Sequence, residues 1–125
     1  MNKREIGVAV IGSGRIGSLR AGMASRHPSV NFLALSDKNK TKADILAQKT
    51  GADFVTDNNL DAISDARVDA VVVATPEHDH VEAVLQAINL GKPIFLEKPL
   101  ALTLEDGDLI ANSAKKAGVE IVIGY

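Results

Sequence analysis

The sequence predicts an α/β fold: a doubly wound, mostly parallel six-stranded sheet with helices on both faces. Three observations lead there. Short β-branched runs alternate along the chain with stretches of helical period. The run Ala70-Val71-Val72-Val73-Ala74 is apolar at every residue, which means burial on both faces, as in a parallel sheet covered by helices. Parallel neighbours also need crossover helices, almost always right-handed, so such a series closes into an open doubly wound sheet. At 125 residues the chain is one domain, long enough to hide roughly two-thirds of its unfolded surface.

In chain order, residues 7–11 form the first strand, followed by a helical stripe at Ile16, Leu19 and Met23. Residues 30–35 form the second strand. Ala43, Leu46, Ala47 and Thr50 then mark a helix that stops at Gly51. Residues 52–55 read as a short third strand and 57–66 as a short helix or turn. Residues 68–74 form the fourth strand, followed by the stripe Val81, Val84, Leu85 and Ile88 with Gly91 as its stop. The fifth strand is 93–96. After it, Thr103 serves as N-cap to a helix with Leu109, Ile110, Ala114 and Ala117 on one face and Gly118 as its stop. Residues 119–123 complete the sixth strand.

Composition removes several classes of function. Apolar residues make up 46% and charged residues 24%, as in an ordinary globular domain. With 3% aromatics and no Trp, a stacking platform for bases is not expected. A net charge of −2 gives no excess of cations for a phosphate backbone, so nucleic acid is not an expected partner. The absence of Cys excludes disulfides, thiolate metal sites and a Cys nucleophile. No apolar run approaches the roughly 20 residues of a membrane span, and the apolar stretch behind Lys3-Arg4 is too short for a secretory signal. The expected location is cytoplasmic, with no membrane partner.

Gly12-Ser13-Gly14-Arg15-Ile16-Gly17 is a G-x-G-x-x-G turn between a strand and a helix. Gly12 allows the tight turn, Gly14 lets backbone approach a pyrophosphate, and Gly17 lets helix and sheet pack closely. The helix start, with its N–H groups and dipole, favours an anion. Asp37 lies 20 residues beyond Gly17, at the end of the second strand, where a carboxylate accepts from adenosine ribose hydroxyls. This context sets a dinucleotide site above a bland βα turn. Asp37 favours NAD, because its charge repels a 2′-phosphate. Lys38 and Lys40 could each reach such a phosphate, so NADP stays open.

Two further segments follow strands. In Ala74-Thr75-Pro76-Glu77-His78-Asp79-His80, Pro76 suits helix initiation, and the i, i+2 histidines would not share a helix face, so no metal site is expected. Glu97-Lys98-Pro99 places a charged pair directly after a buried strand, costly unless it faces a cleft. The plainer alternative is a solvated ion pair. His27, before Pro28, reads as a surface residue.

Taken together, Gly12-x-Gly14-x-x-Gly17, Asp37, Ala74-Thr75-Pro76 with His80, Gly91-Lys92-Pro93 and Glu97-Lys98-Pro99 resemble the N-terminal Rossmann domain of the Gfo/Idh/MocA oxidoreductases. The resemblance spans essentially the whole chain. It implies hydride transfer between a nicotinamide cofactor and a sugar, cyclitol or related polyol. It implies that Gly12, Ser13, Gly14, Arg15, Ile16, Gly17, Asp37, Thr75, Pro76, His80, Glu97 and Lys98 hold the cofactor. Lys98 would also be the catalytic residue, its ammonium polarising the substrate oxygen and, with a pKa lowered towards about 7–8, sharing in proton transfer. Relatives carry a second, substrate-binding domain that also commonly forms the homo-oligomer interface. Residues 1–125 would then be the dinucleotide-binding domain, with that second domain absent from this chain and the isolated chain inactive. The alternatives are a stand-alone nucleotide-binding module, a fragment without activity, or a different Rossmann dehydrogenase with the same glycine turn.

Overall fold

A computed structural model describes residues 5–75, 77–97 and 103–124, with backbone alone for 77–80 and 124. Its strands are β1 (Ile6–Ile11), β2 (Val30–Ser36), β3 (Phe54–Thr56), β4 (Ala70–Val73), β5 (Ile94–Glu97) and β6 (Ile121–Gly124). Its helices are α1 (Arg15–Arg26), α2 (Lys40–Thr50), α3 (Asn59–Ser64), α4 (Glu77–Asn89) and α5 (Leu104–Ala117). The strands form one sheet in the order β3-β2-β1-β4-β5-β6, and every neighbouring pair is parallel. The order reverses between β1 and β4, which leaves a crevice over their carboxyl ends. Among the described residues no helix is long and apolar enough to cross a membrane.

The all-apolar strands are explained by two separate cores. Ala9 and Ile11 of β1 pack with Val71, Val73, Leu96 and residues of α3, α4 and α5. Val8 and Val10 of the same strand pack on the other face with Leu33, Leu35, Ala21 of α1 and Leu46 of α2. Helix ends follow local chemistry. Gly51 and Gly118 close α2 and α5 in the left-handed conformation, and Asn39, Asn58 and Thr103 cap α2, α3 and α5 with side-chain acceptors. The segment 57–66 is therefore helix α3, begun by Asn58.

The apolar stripe of α1 does not face the core. Ile16, Leu19 and Met23 are 42%, 55% and 50% exposed, while Gly17 and Ala21 are buried. The helix approaches β1 and β2 too closely for large side chains, so its inner face is made of small residues. Leu109 and Ala117 of α5 are likewise exposed, leaving Ile110 and Ala114 to pack. Three strands begin later than the apolar runs suggest, among them β6, which starts at Ile121 because Val119 N still turns back to Ala114 O behind α5. Val68 N donates to Asp65 O and Asp69 N to Gly7 O, so the chain turns before β4 begins at Ala70. Asp53 likewise uses its carboxylate to accept from Leu33 N before β3 begins at Phe54.

Lys92 has a structural task at the amino end of the sheet, away from the crevice. Its ammonium donates to Ile63 O at 2.5 Å and Asp65 O at 3.0 Å, closing the carboxyl end of α3. Desolvation lowers its pKa, partly opposed by Asp65 and Asp69. Asp65 itself is held down to about 2, chiefly by its hydrogen bonds from the Arg67 side chain and backbone. We expect Lys92→Met to destabilise the fold by about 2 kcal/mol, because two carbonyls lose a charged donor. Urea unfolding would measure it, and an unchanged midpoint would remove this role.

Candidate functional site

The glycine turn lies at the β1 end of the crevice, and its three glycines have different reasons. Gly12 has φ +103°, which L side chains rarely adopt, and a Cβ there would stand 2.6 Å from Ala74 O. A Cβ on Gly17 would meet Gly12 O at 1.9 Å. Gly14 differs: its φ is −77°, open to any residue, and a built Cβ meets no atom within 4 Å. The packing of the described residues does not require glycine there. A ligand lying on this backbone would.

A cavity of about 490 Å³ opens over that position, bounded by Gly12, Gly14 and Ile16 on one side, Asp37 and Lys42 on another, and Thr75 at the β4 end. The start of α1 faces it without a side-chain cap and without an acidic residue in its first turn. Side chains supply those acceptors at the starts of α2, α3 and α5. Uncapped N–H groups at a helix start are ready-made donors to an anion. Arg15, Lys38 and Lys42 add positive charge to the walls. Among the described residues Thr75 Oγ1 is buried without a hydrogen-bond partner, a polar atom that a bound molecule could satisfy.

Asp37 is half-buried and already organised. Its Oδ2 accepts from Ser13 N at 2.8 Å and its Oδ1 from Asn39 N at 2.7 Å. Each oxygen keeps a lone pair, so the carboxylate can still accept from two adjacent hydroxyls. Ser13 is buried with its polar groups engaged inside the protein: its N–H on Asp37, its hydroxyl on Ser36 O at 3.5 Å. It braces the turn. Ser36 in turn donates to Asn59 Oδ1, which fixes the amide so that its Nδ2 remains as a donor at the cavity wall.

The structure thus brings Gly12, Gly14, Arg15, Ile16, Asp37 and Thr75 together around one cavity, with Gly17 and Ser13 behind them. Lys40 is turned along α2 to Asp44 at 2.9 Å and does not line the cavity, whereas Lys42 does. Lys42 and Asn59 were not singled out from sequence. The Asn39 cap, which starts α2 so that Lys42 falls in its first turn, is the signal that could have found Lys42. Glu97 ends β5 and is ion-paired with Arg20 of α1. Pro76, Lys98 and Pro99 lie outside the described residues, as do the side chains of His78, Asp79 and His80, so the expectations placed on them are neither met nor contradicted. His27 is exposed beyond α1, its Nδ1 accepting from Ser29 N at 3.1 Å.

Comparison with known proteins agrees with this geometry. The chain is 38% identical over 124 residues to an inositol 2-dehydrogenase 1 from Mycolicibacterium vanbaalenii, covering 97% of this chain and 36% of that protein. It is 29% identical over 124 residues to the NAD(+) scyllo-inositol 2-dehydrogenase of Bacillus subtilis, covering 98% and 36% respectively. The crystal structure of GenD2 from gentamicin A biosynthesis, in complex with NAD, superposes with a TM-score of 0.90 at 32% identity, covering 99% of this chain and 36% of that one. The chain therefore spans about a third of the length of these relatives. Residues 6–125 match the family described as the oxidoreductase family with an NAD-binding Rossmann fold, and the chain belongs to that Gfo/Idh/MocA family.

Proposed function

We propose that this chain is the cofactor-binding domain of an NAD-dependent oxidoreductase that acts on a cyclitol or related polyol. The observation that carries the reading is Gly14, a glycine that nothing among the described residues requires, lying beneath a cavity flanked by Asp37 and the uncapped start of α1. The polyol class is supported by the inositol dehydrogenases among the relatives. When bound, the nicotinamide supplies the hydride chemistry. The protein's part is to hold the pyrophosphate over the backbone at Gly14 and the start of α1, and the adenosine ribose on Asp37. Lys98, next in sequence after Glu97, is the group proposed to polarise the substrate oxygen and share its proton. Residues 1–125 constitute one domain in this reading, and the groups that recognise the polyol belong to the part of the relatives' length that this chain does not span.

NAD is proposed over NADP because the Asp37 carboxylate stands where a 2′-phosphate would lie. Lys38 and Lys42 at the same wall leave some tolerance for the phosphate. Isothermal titration tests both points. Wild type binds NAD⁺ more tightly than NADP⁺. Asp37→Ala weakens NAD⁺ roughly 30-fold, as two charge-assisted hydrogen bonds are lost, and narrows the gap to NADP⁺. An unchanged NAD⁺ affinity would take Asp37 out of the ribose role, and no binding by wild type at millimolar NAD⁺ would overturn the reading.

A further inference from the structure

One ion pair joins the helix after the glycine turn to the strand end before Lys98. Arg20, on α1, donates from Nε to Glu97 Oε1 at 2.5 Å, across 77 positions of sequence. The Arg20 guanidinium lies 4.8 Å from the centre of the Phe95 ring, which fixes its plane. The two side chains are only 26% and 13% exposed, so neither charge is fully screened by water.

The place of Glu97 at the carboxyl edge of the sheet gives the pair a consequence. Asp37 at the end of β2 fixes the adenosine half of a dinucleotide on that side of β1. The nicotinamide half then runs over β4 and β5. Leu96 is in register with Val73 of β4, so Glu97 stands level with Ala74 at the same carboxyl edge. It is two strand spacings from β1, about 10 Å. An oxidised nicotinamide ring carries a positive charge and a reduced one carries none. A lone, poorly hydrated carboxylate at that end would favour the oxidised form, and a guanidinium bonded to it cancels the preference.

We propose that Arg20 is a positioning residue that neutralises Glu97 and thereby sets the relative affinity of the site for oxidised and reduced nicotinamide. This rests on the cofactor reading above.

The test is the ratio of the NADH to the NAD⁺ dissociation constant, measured by titration at low ionic strength on wild type, Arg20→Met, Arg20→Lys and Glu97→Gln, with ADP-ribose as a third ligand. Arg20→Met raises the ratio about fourfold, the size of one unit-charge interaction across several ångströms of hydrated protein. Arg20→Lys keeps the wild-type ratio, and Glu97→Gln lowers it because the guanidinium is left uncompensated. ADP-ribose affinity is the same in wild type and both Arg20 variants. A purely structural role would weaken both dinucleotides equally and leave the ratio alone, which overturns the proposal. If Arg20→Met fails to fold by circular dichroism, the direction of the Glu97→Gln shift decides. Failure of wild type to bind ADP-ribose at all would instead overturn the cofactor reading itself.

Discussion

Gly14→Val is expected to abolish NADH binding while leaving the fold intact. The position has ordinary extended backbone, and a side chain placed on it points into open space, so the protein accommodates valine without moving. The change costs no more than a poorer N-cap, and the melting temperature should stay within about 4 °C of wild type. The same side chain fills the volume where a pyrophosphate would lie against the backbone. Affinity should then fall by roughly a hundredfold or more, as close contact with the helix start is lost. Calorimetric titration read beside a thermal melt separates the outcomes. If the melt collapses along with binding, Gly14 is structural and the observation that carries the cofactor reading is gone.

Gly17→Ala, three residues on, should behave in the opposite way. One methyl group there lies 1.9 Å from Gly12 O, a backbone atom that cannot swing aside. Either α1 lifts from the sheet or the turn at Gly12 deforms, and Ala21 behind it is already fully buried. Overpacking of this kind costs about 3 kcal/mol, a large part of a small domain's stability. A fall in melting temperature of roughly 10 °C is expected, with NADH binding lost in proportion to the unfolded fraction. A Gly17→Ala protein that melts like wild type would show that the helix can shift away from Gly12 O at little cost.

These two glycines show what the sequence could reveal and what it could not. The motif marks both and assigns them different tasks; the structure adds that a Cβ at Gly17 would collide with Gly12 O while one at Gly14 meets no described atom. The six strands were legible because their apolar runs are long enough to be buried twice over, and helix ends were legible at Gly51, Gly118 and Thr103 because capping is local chemistry. Of the inner face of α1, Gly17 was legible from the motif but Ala21 was not. Periodicity counts large side chains, and this helix packs through Gly17 and Ala21 because it lies so close to the sheet. Gly7 was missed for a similar reason: a Cβ there would stand 1.7 Å from Arg67 O, a neighbour 60 positions away that only the fold brings near. Lys92 stands inside a motif that the resemblance emphasised, yet it closes the far end of α3. At the candidate site, Asp37 and the glycine turn were readable from spacing. Lys42 and Asn59 were not, since their presence at the wall depends on where α2 and α3 begin.

The bond from Ser13 N to Asp37 makes the proposed ribose acceptor and the glycine turn a single mechanical part. Anyone wishing to redesign this domain for a phosphorylated cofactor meets that coupling first. Replacing the acid to admit an extra phosphate also unhooks the backbone proposed to cradle the pyrophosphate, so one substitution would give up grip at both ends. A workable redesign must supply a neutral acceptor for the Ser13 amide in the same step. The melting temperature of Asp37→Ala, set against its loss of affinity, measures how much of the residue's value lies in that latch.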